Sequence, residues 1–279
     1  SFVLEEESSE DDVEAMAPPS FVANSNITDI NFGELAKTET DETLNTLNKY
    51  FAEKKPSAKN EYTGMYKGYN LVTVVAEGFS PYAIDKELTP TLYKLQNEGF
   101  NFTNFYTPIW GVSTSDGEYT VCTGLLPKAG VWSFYKSAGN YMPYCLGNMF
   151  ESVGVEETYA YHNNSYTYYR RDQSHANMGY TFKGIGNGVE EYVENVWPQS
   201  DLEMVEGSIP EYLSSDNQFH AYYMTVSGHL DYSTEKNAMS AKNWELVKDL
   251  ECSDTLKAYY ACNIELDRAI EALIKKLEE

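Results

Sequence analysis

The sequence predicts an α/β fold, with a mainly parallel central sheet flanked by helices on both faces. Three observations predict it. The run Asn70-Leu71-Val72-Thr73-Val74-Val75-Ala76 is apolar and rich in β-branched residues, as a strand covered on both sides must be. A second run of this kind, His220-Ala221-Tyr222-Tyr223-Met224-Thr225-Val226, lies far downstream. Amphipathic stretches at helical spacing fall between and after them, the alternation that builds parallel sheets. In such sheets ligands gather at the carboxyl ends of the strands.

Taken in chain order, residues 1–36 hold nine acids and no Lys or Arg, and Pro18-Pro19 interrupts them. They read as an acidic disordered linker or tether, followed by one folded domain over 37–279. A helix is expected over 40–54, capped by Thr40 or Asp41, with Leu44, Leu47, Tyr50 and Phe51 on one side and Pro56 ending it. After the strand at 70–76, Thr89-Pro90 opens a helix over 89–98. Further elements are a helix over 141–151, a strand over 158–161, the strand at 220–226 and a long final helix over 254–278. The last carries an apolar stripe of Leu256, Tyr259, Cys262, Leu266, Ile270, Leu273 and Leu277.

With 42% hydrophobic residues in 279, the chain can bury one large core. A net charge of −23 argues against nucleic acid as a partner and demands a local cation if the ligand is a phosphate ester. Four cysteines, at 122, 145, 252 and 262, allow three disulfide pairings or none. No apolar run reaches the ~18 residues of a membrane span. Ser1 is not an initiator, which leaves room for an upstream anchor.

Three ionisable residues, Glu77, His162 and His229, stand just past expected strand ends, and a hydroxyl, Thr114, lies in a turn. Glu77 follows the first strand, and a carboxylate there is a hard oxygen ligand suited to Mg²⁺ or Mn²⁺. Thr114 lies in the Gly-flanked turn Gly111-Val112-Ser113-Thr114-Ser115-Asp116-Gly117. It is an ST-turn or helix N-cap hydroxyl bonding local backbone, a nucleophile activated by a metal, or both, since a helix N-terminus also favours a nucleophile. His162 and His229 follow the later strands. His229, after Ser227-Gly228, suits acid/base work or a contact to a leaving group. The polar and aromatic segment 162–172 contains the pair Arg170-Arg171 in an otherwise acidic chain, and Arg binds phosphate bidentately. His175 and His220 read as structural. Cys122 lacks the Cys-x-Pro-x-Arg spacing that sulfatases convert to formylglycine, which argues against a true sulfatase.

An ordered set of motifs carries a resemblance. It comprises Glu77-Gly78-Phe79, Thr89-Pro90-Thr91-Leu92, Thr114-Ser115-Asp116-Gly117-Glu118, Thr123-Gly124-Leu125-Leu126-Pro127, the segment 162–172 and Ser227-Gly228-His229. From about residue 65 to 279 the chain resembles the extracellular domain of lipoteichoic acid synthases, phosphoglycerol transferases of the sulfatase and alkaline phosphatase superfamily. The resemblance implies a sulfatase-like catalytic domain over 37–279, with Glu77 and Thr114 as metal ligands and Thr114 as nucleophile. It implies His162, Tyr169, Arg171 and Asp172 as contacts to the glycerol phosphate head group, with Tyr169 where those synthases carry Trp, and His229 in the active site. It also implies Mn²⁺ (or Mg²⁺), phosphatidylglycerol or a related lipid head group as donor, and a membrane-anchored position on the extracellular face of a Gram-positive-type cell.

The chain departs from the family at its end. Family members follow the long helix with a strand ending in Asp-His that supplies two more metal ligands, whereas this chain stops at Glu279. The expectation is therefore a C-terminally incomplete domain with weak or absent metal binding and no turnover by itself. Alternatives from the same residues are a phosphoethanolamine transferase or phosphodiesterase using Thr114, and a non-catalytic binding domain.

Overall fold

The computed structural model describes residues 25–26, 30–107 and 111–279. The acidic run at 5–12, Pro18-Pro19 and Trp110 lie outside the described residues. The chain divides into two compact units, Ser1–Lys67 and Gly68–Glu279, whereas the sequence reading drew its boundary at 36/37.

The first unit is a helical hairpin of α1 (Phe32–Thr38) and α2 (Glu42–Ala52). Residues 32–36, assigned to the tether by composition, are helical because the Asn31 side chain caps α1 by accepting from Glu34 N at 3.1 Å. Asp41, one of the two predicted caps, accepts from the amides of Thr43 and Leu44 at 2.9 Å. Asn45 Nδ2 donates to the carbonyls of Ala36 and Glu39 at 2.7 and 3.1 Å and ties the two helices together.

The second unit is built on a fully parallel sheet in the order β1-β4-β2-β3, where β1 is Leu71–Val75, β2 Glu157–Ser165, β3 Thr181–Ile185 and β4 Phe219–Met224. Side chains alternate across it, so each strand feeds two cores. Ala221 and Tyr223 of β4 and Tyr159 and Tyr161 of β2 pack with α8 (Asp201–Leu213) and α10 (Asp254–Glu278) through Val205, Ile209, Tyr212, Ala269 and Leu273. Tyr222, Met224 and Ala160 face the other way. They pack with α4 (Ser113–Thr123), α5 (Ser133–Ser137), α6 (Leu146–Ser152) and the end of α7 (Arg171–Asn177) through Cys122, Phe134, Leu146 and Met178. The predicted α/β class, with helices on both faces of a parallel sheet, is what forms.

Helix α3 (Pro90–Glu98) starts where Thr89-Pro90 predicts, but Thr89 does not cap it. Its hydroxyl donates to Ala83 O at 2.7 Å, and Asp267 of α10 accepts from Leu92 N at 2.7 Å instead. Helix α6 begins five residues later than predicted, at Leu146, after an extended Cys145 with ψ 152°. Strand β2 runs four residues further, so His162 lies inside it, paired with Met224, and not just past its end. Strand β3 and helix α8 were not predicted. Gly184 breaks the pattern of β3, and Pro210 sits inside α8. The remaining helix, α9 (Ala238–Asn243), packs on α10. All four cysteines are free thiols. Among the described residues no helix is long and apolar enough to cross a membrane.

Candidate active site

Strands β1, β4 and β2 end side by side, and the residues that follow or finish them enclose a cavity of about 260 Å³. Its lining includes Glu77 after β1, His162 of β2, Val226 and His229 after β4, Thr114, Tyr169 and Arg171. Six of the seven predicted site residues thus meet in one place. The seventh, Asp172, is not among the lining residues. It opens the first turn of α7, where Gln173 Nε2 lies 3.4 Å from its Oδ2.

Thr114 Oγ1 donates to Glu77 Oε2 at 2.8 Å. The turn expected around Thr114 is the first turn of α4, with Thr114 at its second position. Its neighbours fix that turn. Asp116 Oδ2 accepts from the amides of Gly111 and Val112 at 3.1 and 3.3 Å, and Ser115 Oγ accepts from Trp132 Nε1 at 2.7 Å. Thr114 is the member of the Thr-Ser-Asp triplet left to face the cavity, at the positive end of the helix dipole, which favours an anion there. Glu77 is fixed from the β4 side, its amide donating to Thr225 Oγ1 at 3.0 Å.

The loops after β1 and β4 touch through two glycines. A Cβ on Gly78, whose φ is +64°, would lie 2.3 Å from Gly228 O, and a Cβ on Gly228 would lie 2.3 Å from Glu77 O. Only two residues without side chains allow Glu77 and His229 to share one cavity. Gly228→Ala is therefore expected to cost about 1–3 kcal/mol through forced backbone displacement. An unchanged urea midpoint for that variant would show that the loops yield freely.

Both cavity histidines have defined tautomers, because a carbonyl can only accept. His162 Nδ1–H donates to Met224 O at 2.8 Å, and His229 Nδ1–H donates to Leu230 O at 2.8 Å. In each, Nε2 of the neutral ring is the acceptor. Burial, with the Arg171 charge adding to it, lowers the His162 pKa to about 3, so this ring is neutral at any physiological pH. The Trp197 ring stands edge-on to His229 at 5.2 Å.

Arg171 reaches the cavity from the start of α7, and the chain bends sharply before it. Tyr169 and Arg170 both adopt left-handed backbone, at φ 60° and 57°. For residues with a Cβ this costs roughly 1–2 kcal/mol each. The Tyr169 ring lies 4.9 Å from the Arg171 guanidinium carbon, stacks on Tyr168 at 4.2 Å and meets Trp132 edge-on at 5.0 Å. The guanidinium is paired with Glu118 of α4, Nε lying 3.0 Å from both carboxylate oxygens and Nη2 3.0 Å from Oε2. Glu118 stands in the Thr114–Glu118 motif with no part of its own in the sequence, and neither Tyr168 nor Trp197 is among the predicted site residues. Tyr168 carried a signal as part of the aromatic run 166–169. Trp197 comes from a loop 32 residues before His229 and carried none.

As donors to a divalent cation, Glu77 Oε2 and Thr114 Oγ1 are hard oxygens of the right kind for Mg²⁺ or Mn²⁺. They supply two ligands. Among the described residues no group of three His, Cys, Asp or Glu side chains comes together in a way that could hold a metal.

A sulfatase family model matches residues 69–279. The chain belongs to the sulfatase family. Within that family it is similar to lipoteichoic acid synthase 1 of Bacillus subtilis, at 27% identity over 81% of this chain and 36% of the relative. It is also similar to lipoteichoic acid synthase of Staphylococcus saprophyticus, at 24% identity over 96% of this chain and 42% of the relative. The chain thus spans about two fifths of the length of these curated relatives. Solved structures of like fold include the lipoteichoic acid synthase LtaP of Listeria monocytogenes, with TM-score 0.65 and 22% identity over 78% of this chain and 54% of that one. Another is the Streptococcus pyogenes phosphoglycerol transferase GacH in complex with sn-glycerol-1-phosphate, with TM-score 0.55 and 14% identity over 88% of this chain and 64% of that one. Within the sulfatase family, Cys122 of this member is no candidate for the reactive position. It is 1% exposed, and burial together with the Glu118 charge raises its thiol pKa well above the ordinary value.

Proposed function

We propose that the cavity transfers glycerol phosphate from phosphatidylglycerol, through a phospho-Thr114 intermediate, to a glycolipid or growing polymer in cell-envelope synthesis at the outer face of the membrane. The observation that carries this reading is the Thr114–Glu77 hydrogen bond in the lining of a cavity that also takes Arg171, His162 and His229. The similarity to lipoteichoic acid synthases supports the choice of substrate.

The chemistry follows from the atoms in place. Thr114 Oγ1 attacks phosphorus, and its proton passes to Glu77 Oε2, to which it is already bonded. The bond from phosphorus to the diacylglycerol oxygen breaks, and His229, entering the step with a proton on Nε2 as well as on Nδ1, gives that oxygen the Nε2 proton. An acceptor hydroxyl then attacks the phospho-Thr and passes its proton to His229 Nε2, while the Thr114 oxygen leaves and takes back the proton held by Glu77. Arg171, His162 and Tyr169 hold the glycerol phosphate while this happens. Glu77 and Thr114 would hold Mn²⁺ or Mg²⁺ as part of a larger ligand set, and a bound cation lowers the pKa of a coordinated hydroxyl and offsets phosphate charge.

The test is a substrate comparison in the full-length protein reconstituted with lipid. Release of diacylglycerol from phosphatidylglycerol but not from phosphatidylethanolamine is the expected result. The reverse preference would move the assignment to a phosphoethanolamine transferase. A second reading, a binding domain without turnover, draws on the two-ligand donor set. Manganese titration separates them, since stoichiometric binding by these 279 residues speaks against it.

A further inference from the structure

Glu118 and Arg171 are among the most deeply buried charges in the molecule, at 0% and 1% exposure. An arginine so placed needs a partner, and it has one that uses only part of its capacity. A guanidinium has five N–H donors in a plane. Nε and Nη2 are spent on Glu118. Nη1 is buried and has no partner among the described residues. The same side chain lines the cavity that Thr114 and Glu77 open onto.

Three constraints fix the guanidinium. Glu118 holds one edge. The Tyr169 ring stands 4.9 Å from its central carbon, and the left-handed Tyr169-Arg170 backbone sets where the side chain starts. His175 backs the carboxylate, with Nε2 at 3.9 Å from Glu118 Oε1. Nη1, without a partner among the described residues, and the second N–H of Nη2 are what remain. Because Glu118 cancels the charge of Arg171, the pair has no net attraction for an anion at a distance. What it offers is directed N–H donors in a dry site, where a phosphate oxygen completes them and water need not.

We propose that Glu118 is a positioning residue: it clamps Nε and Nη2 of Arg171 so that Nη1 is presented to a phosphate oxygen of the substrate. This rests on the glycerol phosphate reading given above. It predicts that shortening Glu118 by one methylene, with its charge kept, draws the guanidinium back from the cavity.

The test measures affinity for glycerol phosphate in the full-length protein, calorimetrically, for wild type, Glu118→Asp and Arg171→Lys, with thermal midpoints alongside. Both variants are expected to stay folded and to bind about tenfold or more weakly, since each loses a charge-assisted bond. Nitrogen NMR of the arginine side chain supplies a readout that a purely structural pair would not move. On adding glycerol phosphate the Nη1 signal of Arg171 shifts and slows its exchange, while Nε stays in place. Should Glu118→Asp fail to fold, the wild-type NMR titration decides alone. A Glu118→Asp protein with wild-type affinity, or an Nη1 signal indifferent to ligand, overturns the positioning role and leaves the functional reading standing. A wild type that ignores glycerol phosphate altogether overturns both.

Discussion

Thr114→Ala is expected to reduce glycerol phosphate transfer on the order of 10⁴-fold or more, the scale on which removal of a covalent nucleophile acts. The fold should survive. Among the described residues Thr114 makes one side-chain hydrogen bond, to a half-buried carboxylate, and losing it costs about 1 kcal/mol. The scaffold of the turn belongs to Ser115 and Asp116, which the substitution leaves alone. Diacylglycerol release and the thermal midpoint, measured together in the full-length protein, check both halves. Retained transfer would remove Thr114 from the reaction. Thr114→Ser should keep part of the rate, because a hydroxyl remains within reach of Glu77.

How much of this site the sequence disclosed depended on whether a residue stood at a strand end. Glu77 and His229 were legible because each follows a long apolar run and a glycine lies beside it. The glycines turn out to be the reason the two loops can touch. Parallel strands put such positions on one edge of the sheet whatever their distance in sequence, so Glu77 and His229 meet across about 150 residues. Thr114 was legible as a reactive hydroxyl in a turn or at a helix N-terminus, and it stands at the second position of α4. Asp172 shows the opposite case. It sits beside Arg171 in sequence, yet at the start of a helix successive side chains point about 100° apart, and Asp172 does not reach the cavity lining. Glu118 was invisible as a functional residue because its importance lies in a contact with a side chain 53 positions away.

That contact sets up the other large effect. Arg171→Met is expected to destabilise the protein by about 3–5 kcal/mol, since it strands a buried carboxylate, whereas losing a surface ion pair costs about 0–1 kcal/mol. The pH dependence should also change sign. In the wild type, burial alone would raise the Glu118 pKa, but the Arg171 charge and the His175 contact outweigh it and hold the carboxyl at about 2. A folded pKa below the ordinary 4.5 means that the stabilising contribution is present above pH 4.5 and is lost as pH falls toward 2. Without Arg171, burial, the largest contribution, is opposed only by the His175 contact, and the folded pKa is expected to rise above its unfolded value. The stability is then present below the unfolded pKa and lost as pH rises through the folded one. Arg171 also helps to lower His162 and His175, so its removal eases their protonation and favours the acid side further. Urea midpoints at pH 5 and pH 8 provide the measurement. Arg171→Met should be the more stable at pH 5, and the double variant Glu118→Met with Arg171→Met should regain much of the loss and its added pH dependence should vanish, because two apolar side chains of similar length leave no charge to solvate. A single variant as stable as the wild type at both pH values would mean that water reaches Glu118, and the dry, directed pairing argued for Arg171 would fall with it.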